Sequence, residues 1–272
     1  MTSETMSVSE LIATALGDEE DDATWDAIGE LQKRATPEIL DAANALCSNA
    51  DPAQRARGAT ILSQLGYGQK LTSECVVILL PMLADTDANV RLKAACALSW
   101  KKDARCLPEL VAHSSDPDWN IRHAIVNALS GFEDRAATDA LIKMTGDSDK
   151  LIRDWAAFGL GSQCEADYPE LRDALHVCLA DDDAIVRGEA IKGLAARADP
   201  RTLAALEQEL RNGVEHANGD SCELGYFLDA SKYMKNPLLV PALAALIQNS
   251  DPALDNWRTD IQETIDACAA NS

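Results

Sequence analysis

Between residues 85 and 194 the chain repeats one order of apolar and polar positions four times. DTDANVRLKAACAL at 85–98, DPDWNIRHAIVNAL at 116–129, DSDKLIRDWAAFGL at 147–160 and DDDAIVRGEAIKGL at 181–194 superpose without a gap. Each copy opens on Asp, has a second Asp two residues on, and sets an aliphatic–Arg pair at its sixth and seventh positions. Val90, Ala94, Ala97 and Leu98 recur at i, i+4, i+7 and i+8, one stripe of an α-helix, and Ile121, Ile125, Ala128 and Leu129 do the same. Between the copies run DARCLPELVAHSS from 103, DRAATDALIKMTG from 134 and DPRTLAALEQELR from 199, each a polar or Pro-containing turn leading into a Leu-rich helix. The repeating unit is therefore a helix pair, which cannot bury its apolar stripe alone and must stack on its neighbours.

The Asp-x-Asp-x-x-Val-Arg-x-x-Ala-x-x-Ala-Leu pattern resembles the HEAT repeat family, in the short bacterial type also found in phycobilin lyase-like proteins. The resemblance covers at least residues 85–213. It implies an all-α fold, a right-handed α-solenoid (superhelix) of stacked antiparallel helix pairs. It further implies a ladder of turn Asp and second-helix Arg between neighbouring repeats: Asp85 with Arg91, Asp116 with Arg122, Asp147 with Arg153, and Asp181 with Arg187. A planar guanidinium suits that role because it bridges a carboxylate and helix-end carbonyls at once.

On a helical wheel, the positions three, four, seven, ten and eleven after each leading Asp turn away from the apolar stripe. In the family this is the concave, ligand-facing side. Here it carries Asn89, Trp119, Asn120, His123, Asn127, Asp154, Phe158 and Lys192, with Trp155 and Glu189 at its margin. Aromatic anchors among polar groups are the composition of a recognition patch; packing of Trp119 and Trp155 between repeats is the structural alternative.

The pattern weakens towards both ends of a single expected domain spanning 1–272. In DPAQRARGATILSQLG, Arg57 is read against Asp51, and the Leu65-Gly66 ending then arrives one residue late. Residues 24–50 read as a cap with Thr24 where the Arg belongs, so 1–50 is taken as cap and degenerate repeat and 51–213 as regular repeats. VEHANGDS, after Gly213, breaks the period as a longer loop. CELGYFLDASKYM and NPLLVPALAALIQ then form a helix pair without the Asp/Arg signature, and DNWRTDIQETIDACAA closes the divergent 214–272 region.

Composition narrows the function. With 47% apolar but only 4% aromatic residues, the chain has an Ala/Leu-rich helical profile. A formal charge of −21 repels phosphates and anionic lipid, which argues against nucleic-acid and membrane partners and for a basic protein. That charge also sets aside the helical-repeat DNA glycosylases, whose architecture is similar. No apolar run is long enough to span a bilayer and the N-terminus shows no signal-peptide pattern, so a cytoplasmic protein is expected, and the resemblance implies a bacterial one. The eight cysteines include no C-x-x-C pair and read as small apolar residues. Cys164, His176 and Cys178 do not share a helix face suited to a metal, and His113, His123, His176 and His216 are scattered. No metal and no cofactor is expected. The acidic run DEEDD at 18–22 suits a helix N-terminus in water, with a tail for a basic partner as the alternative.

No nucleotide-binding glycine loop, H-E-x-x-H or Gly-x-Ser-x-Gly is present. The expected function is thus a non-enzymatic scaffold or adaptor, favoured as a monomer, binding a basic protein on its concave face; an immunity-type inhibitor of a basic enzyme is a specific form. A bilin lyase-like or other tetrapyrrole-handling accessory enzyme, implied by the resemblance, is the alternative from a different class.

Overall fold

A computed structural model of the chain describes residues 3–65, 71–217 and 223–270, apart from the side chains of residues 215 and 216. Among these residues the regular elements are all helical and no strand occurs. The chain divides into two compact units, Met1–Leu129 and Ser130–Ser272. In the first, α1 (Val8–Ala15) pairs with α2 (Asp22–Arg34), α3 (Pro37–Cys47) with α4 (Pro52–Leu65), α5 (Thr72–Leu79) with α6 (Ala88–Ser99), and α7 (Leu107–Ala112) with α8 (Trp119–Leu129). In the second, α9 (Arg135–Met144) pairs with α10 (Lys150–Gly161) and α11 (Pro169–Cys178) with α12 (Ala184–Ala196). Next come α13 (Thr202–Arg211), the short α14 (Gly213–Ala217) and α15 (Leu224–Met234), and then the pair α16 (Val240–Gln248) and α17 (Arg258–Ala269).

The two aspartates of each repeat start its second helix. The leading Asp organises the turn: the Asp87, Asp118, Asp149 and Asp183 amides each donate to the carboxylate two residues before, at 2.9 Å. The second Asp is the N-cap, as where Asp149 accepts from the Leu151 amide and Asp183 from the Ile185 amide, both at 2.9 Å. The predicted stripe is the core: Val90, Ala94, Ala97 and Leu98 are buried, as are Ile121, Ile125, Ala128 and Leu129. Stacking then joins second helix to second helix, α4 to α6 to α8 in one unit and α10 to α12 to α15 in the other.

The ladder is offset from the expected pairing. Arg91 Nη1 donates to the Asp85 backbone carbonyl at 3.0 Å, while its Nε donates at 2.8 Å to the carboxylate of Asp116, in the following repeat. The Asp85 carboxylate is instead held by Arg55, through two bonds of 2.8 Å. Likewise Arg153 reaches the Asp147 carbonyl and the Asp181 carboxylate, and Arg187 the Asp181 carbonyl and the Glu209 carboxylate. Arg122 donates to the Asp116 carbonyl at 2.9 Å. One cation thus closes its own turn through backbone and the next turn through side chain.

The register of the first regular repeat is corrected by the same geometry. Arg55, not Arg57, is its ladder residue, and Asn49 takes the place of the leading Asp, accepting from the Asp51 amide at 2.9 Å. Counted from Asn49, Leu62 falls where Leu98 falls from Asp85, so this copy is in phase. In the N-terminal pair Thr24 is buried at the aliphatic position and Trp25 occupies the Arg position. The Trp25 Nε1 donates to the Glu19 carbonyl at 2.8 Å, six residues back, as Arg91 does to Asp85. The expected loop after Gly213 begins instead as α14; its remainder, like Cys222, Gly66 and the side chain of His216, lies outside the described residues.

A second set of cations was not expected. Lys101 and Arg197 each stand sixteen residues after a leading Asp. The Lys101 Nζ donates to the Leu62 and Ser63 carbonyls at 3.1 and 2.8 Å. Arg197 serves the end of α10 through the Leu160, Cys164 and Ala166 carbonyls, the shortest at 2.6 Å. Helix C-termini leave carbonyls without intrahelical partners, and these side chains supply the donors. Cys47, Cys75, Cys106, Cys164, Cys178 and Cys268 are buried free thiols, used as small apolar residues.

Candidate binding site

In the first unit the candidate residues are spread along the second helices. Asn89 and Trp119 are exposed at the first turns of α6 and α8. Asn120 is drawn into the helix start, its side-chain nitrogen 3.1 Å from Asp118 Oδ1. Asn127 donates to the His123 carbonyl at 3.0 Å, one turn earlier on α8. These two contacts tie Asn120 and Asn127 to the α8 segment that carries them.

In the second unit the candidates converge. Trp155 and Phe158 on α10 meet edge to face, with ring centroids 5.5 Å apart. Glu189 on α12 is buried rather than marginal on a surface, only 3% exposed. Its Oε2 accepts from Ser162 Oγ at 2.7 Å, and the Tyr226 side chain on α15 lies close to it. The Lys192 ammonium lies over the Tyr226 ring, 5.9 Å from its centroid. Gly188 makes this possible, because a Cβ there would stand 3.3 Å from three atoms of the Tyr226 side chain. Tyr226 was not foreseen: α15 lacks the Asp and Arg that fix register elsewhere, although Tyr226 precedes Phe227 in the core as Gly188 precedes Glu189.

Asp154 completes the cluster. Burial first, then the negative charges of Glu189 and Asp183, push its carboxyl up to about 6. Burial likewise raises Glu189, against the hydrogen bond from Ser162 and the charge of Lys192. Asp154 accepts no hydrogen bond from a described residue, so its charge is carried at a cost. Burial thus disfavours the ionised form of both carboxyls, Asp154 on α10 and Glu189 on α12.

Because the folded chain holds the Asp154 proton more tightly than the unfolded chain, the ionised group costs stability above pH of about 6. That cost disappears as pH falls towards the ordinary carboxylate range. At full burial the displacement is worth about 3 kcal/mol, and solvent screening at this half-buried group reduces it to about 1–2 kcal/mol. Asp154→Asn is therefore expected to raise stability at pH 7 by about 1–2 kcal/mol, with the gain fading by pH 4, measured by urea unfolding across that range. The ladder acts with the opposite sign: the Arg55 hydrogen bonds hold the Asp85 carboxyl below its usual range, so that stability is lost as acid protonates it.

Among the described residues no helix is long and apolar enough to cross a membrane. Nor does any cluster of His, Cys, Asp and Glu there have the arrangement of a metal site.

The family model for HEAT repeats matches residues 76–161 and 138–216, together just over half of the chain. The chain belongs to the HEAT-repeat family. No curated protein matches it. Among solved structures, this HEAT-repeat protein is similar to YibA of Escherichia coli, at 25% identity and a TM-score of 0.74, over 98% of this chain and 94% of that one. An engineered protein aligns over 97% of this chain and 78% of its own, at 19% identity and a TM-score of 0.63, a likeness of fold alone. The likeness to Kap95p, solved with RanGDP, is also one of fold: 14% identity and a TM-score of 0.58, over 97% of this chain and 42% of that chain.

Proposed function

We propose that this HEAT-repeat chain is a cytoplasmic, non-enzymatic interaction scaffold that binds a basic protein partner. An Arg or Lys of that partner is received between Asp154 and Glu189. The observation that carries this reading is Asp154 itself, raised to about 6 with no hydrogen bond to hold its charge, on the same face as Trp155 and Phe158. A purely structural acid would be paired, as Asp85, Asp116 and Asp181 are. The formal charge of −21 adds long-range attraction for a basic surface, and the aromatic pair adds close contact.

The test is calorimetric titration of an arginine-rich peptide into the whole chain at pH 7.5 and pH 5.5, with Asp154→Asn and Glu165→Gln compared. Glu165 is an exposed acid outside the cluster. Asp154→Asn should weaken binding by about tenfold at pH 7.5, a loss of about 1.4 kcal/mol, and much less at pH 5.5. Equal weakening by Glu165→Gln would reduce the effect to net charge and sink the assignment of this site.

A further inference from the structure

The first unit buries a cation that the ladder does not use. Arg57, on α4 two residues beyond the ladder Arg55, is 8% exposed. Its Nη2 donates to the Gly17 carbonyl at 2.9 Å and lies 3.9 Å from Glu19 Oε1. The Nη1 of the same guanidinium is buried with no acceptor in hydrogen-bond range. A buried charged donor left in that state is costly. Lys93 holds the equivalent repeat position on α6 and meets both oxygens of Glu19, each at 3.2 Å. In the second unit this position holds Trp155 and Glu189, the residues of the candidate cluster.

Residues 16–21 bring Glu19 to the two cations, and all six are exposed. The segment is tied down by polar contacts: Arg57 to the Gly17 carbonyl, Trp25 to the Glu19 carbonyl, and the Glu19 carboxylate to Lys93. Leu16, its one large apolar side chain, is 39% exposed. Glu19 spends both oxygens on Lys93 and stays beyond hydrogen-bond length from Arg57. One carboxylate therefore does not serve the pair, whereas successive carboxylates could give Arg57 the bidentate contact that guanidinium favours.

We infer that Arg57 and Lys93 form a carboxylate-binding site on α4 and α6, that Glu19 is its built-in occupant, and that an acidic segment of a protein partner takes the site by displacing the Glu19 side chain. The occupant chemistry is given by Glu19 itself. The site is opposite in charge to the Asp154 cluster and does not depend on it.

Fluorescence anisotropy of fluorescein-labelled hexaglutamate at about 0.15 M salt, where screening limits the repulsion from the net charge of −21, tests this on the whole chain. The variants are Glu19→Gln, Glu20→Gln and the double variant Glu19→Gln with Lys93→Gln. Removing the occupant's charge should tighten peptide binding about tenfold. Glu20→Gln, with the same change in net charge, should match the wild type, and Lys93→Gln should cancel the gain. Lys93 is partly exposed, so the double variant is expected to fold, as circular dichroism would verify. No tightening in Glu19→Gln, equal tightening in Glu20→Gln, or a gain that survives Lys93→Gln would each overturn the proposal.

Discussion

Gly193→Ala is expected to lower stability by about 3 kcal/mol, one of the two largest losses anticipated from a single methyl or side-chain change in this chain. A Cβ at Gly193 would stand 2.5 Å from the Gly161 Cα, and one at Gly161 would stand 2.6 Å from the Glu189 carbonyl oxygen. Both obstacles are backbone, so relief requires α10 and α12 to separate. The intrinsic preference of helices for Ala over Gly returns about 1 kcal/mol and does not offset that. The same close approach sets the 2.7 Å bond from Ser162 to Glu189, so the substitution should also loosen the candidate site. Urea unfolding of Gly193→Ala beside Gly29→Ala measures the effect. Apart from its chain neighbours and the backbone of its own helix, no atom lies within 4 Å of a Cβ at Gly29, in the middle of α2, and that variant should gain up to about 1 kcal/mol. A loss in neither would show that the α10–α12 contact is softer than its geometry, and an equal loss in both would show that the effect is not specific to that contact.

Arg197→Met is expected to cost a similar amount, about 3 kcal/mol. The guanidinium donates to the Gly193 carbonyl on its own helix and to the Leu160, Cys164 and Ala166 carbonyls at the end of α10 and in the segment after it. Methionine keeps much of the side-chain volume but supplies no donor, leaving these acceptors to find water or stay unpaired. Arg197→Lys should recover part of the loss, because Lys101 does the equivalent task with one nitrogen. The check is the unfolding midpoint of both variants, with hydrogen exchange of amides after Gly161 as a local readout. Unchanged midpoints would mean that the segment after α10 is held by its packing alone.

These two sites show where sequence reasoning stopped. Helix periods and the buried stripe were legible because each depends on neighbours within one helix or one turn, whereas the ladder's members came from the resemblance to the family. The pairing direction was not, since nothing local distinguishes a bond to the repeat's own Asp from one to the next. The Arg55 register was hidden by Asn49, whose side-chain oxygen caps the turn as a carboxylate does but is written with a different letter. Lys101 and Arg197 bind carbonyls of the preceding pair, and only the stack brings those within reach. In the candidate cluster Asp154, Trp155, Phe158, Glu189 and Lys192 were readable from the wheel. The burial of Glu189 and the arrival of Tyr226 over Gly188 follow from helix spacing that the wheel does not contain.

The ladder also has a direction. Arg55 reaches forward to Asp85, Arg91 to Asp116 and Arg153 to Asp181, so each repeat carries its donor on its own second helix and its acceptor on its own leading turn. A segment of coding sequence that duplicates one whole repeat in phase therefore brings both halves of the joint with it, and the copies on either side find their partners unchanged. Deletion of a whole repeat rejoins the same two halves. Such a chain can lengthen or shorten without inventing a new ion pair, and departures from the rule collect at the first and last joints. There Trp25 stands in for the arginine and Glu209 for the aspartate.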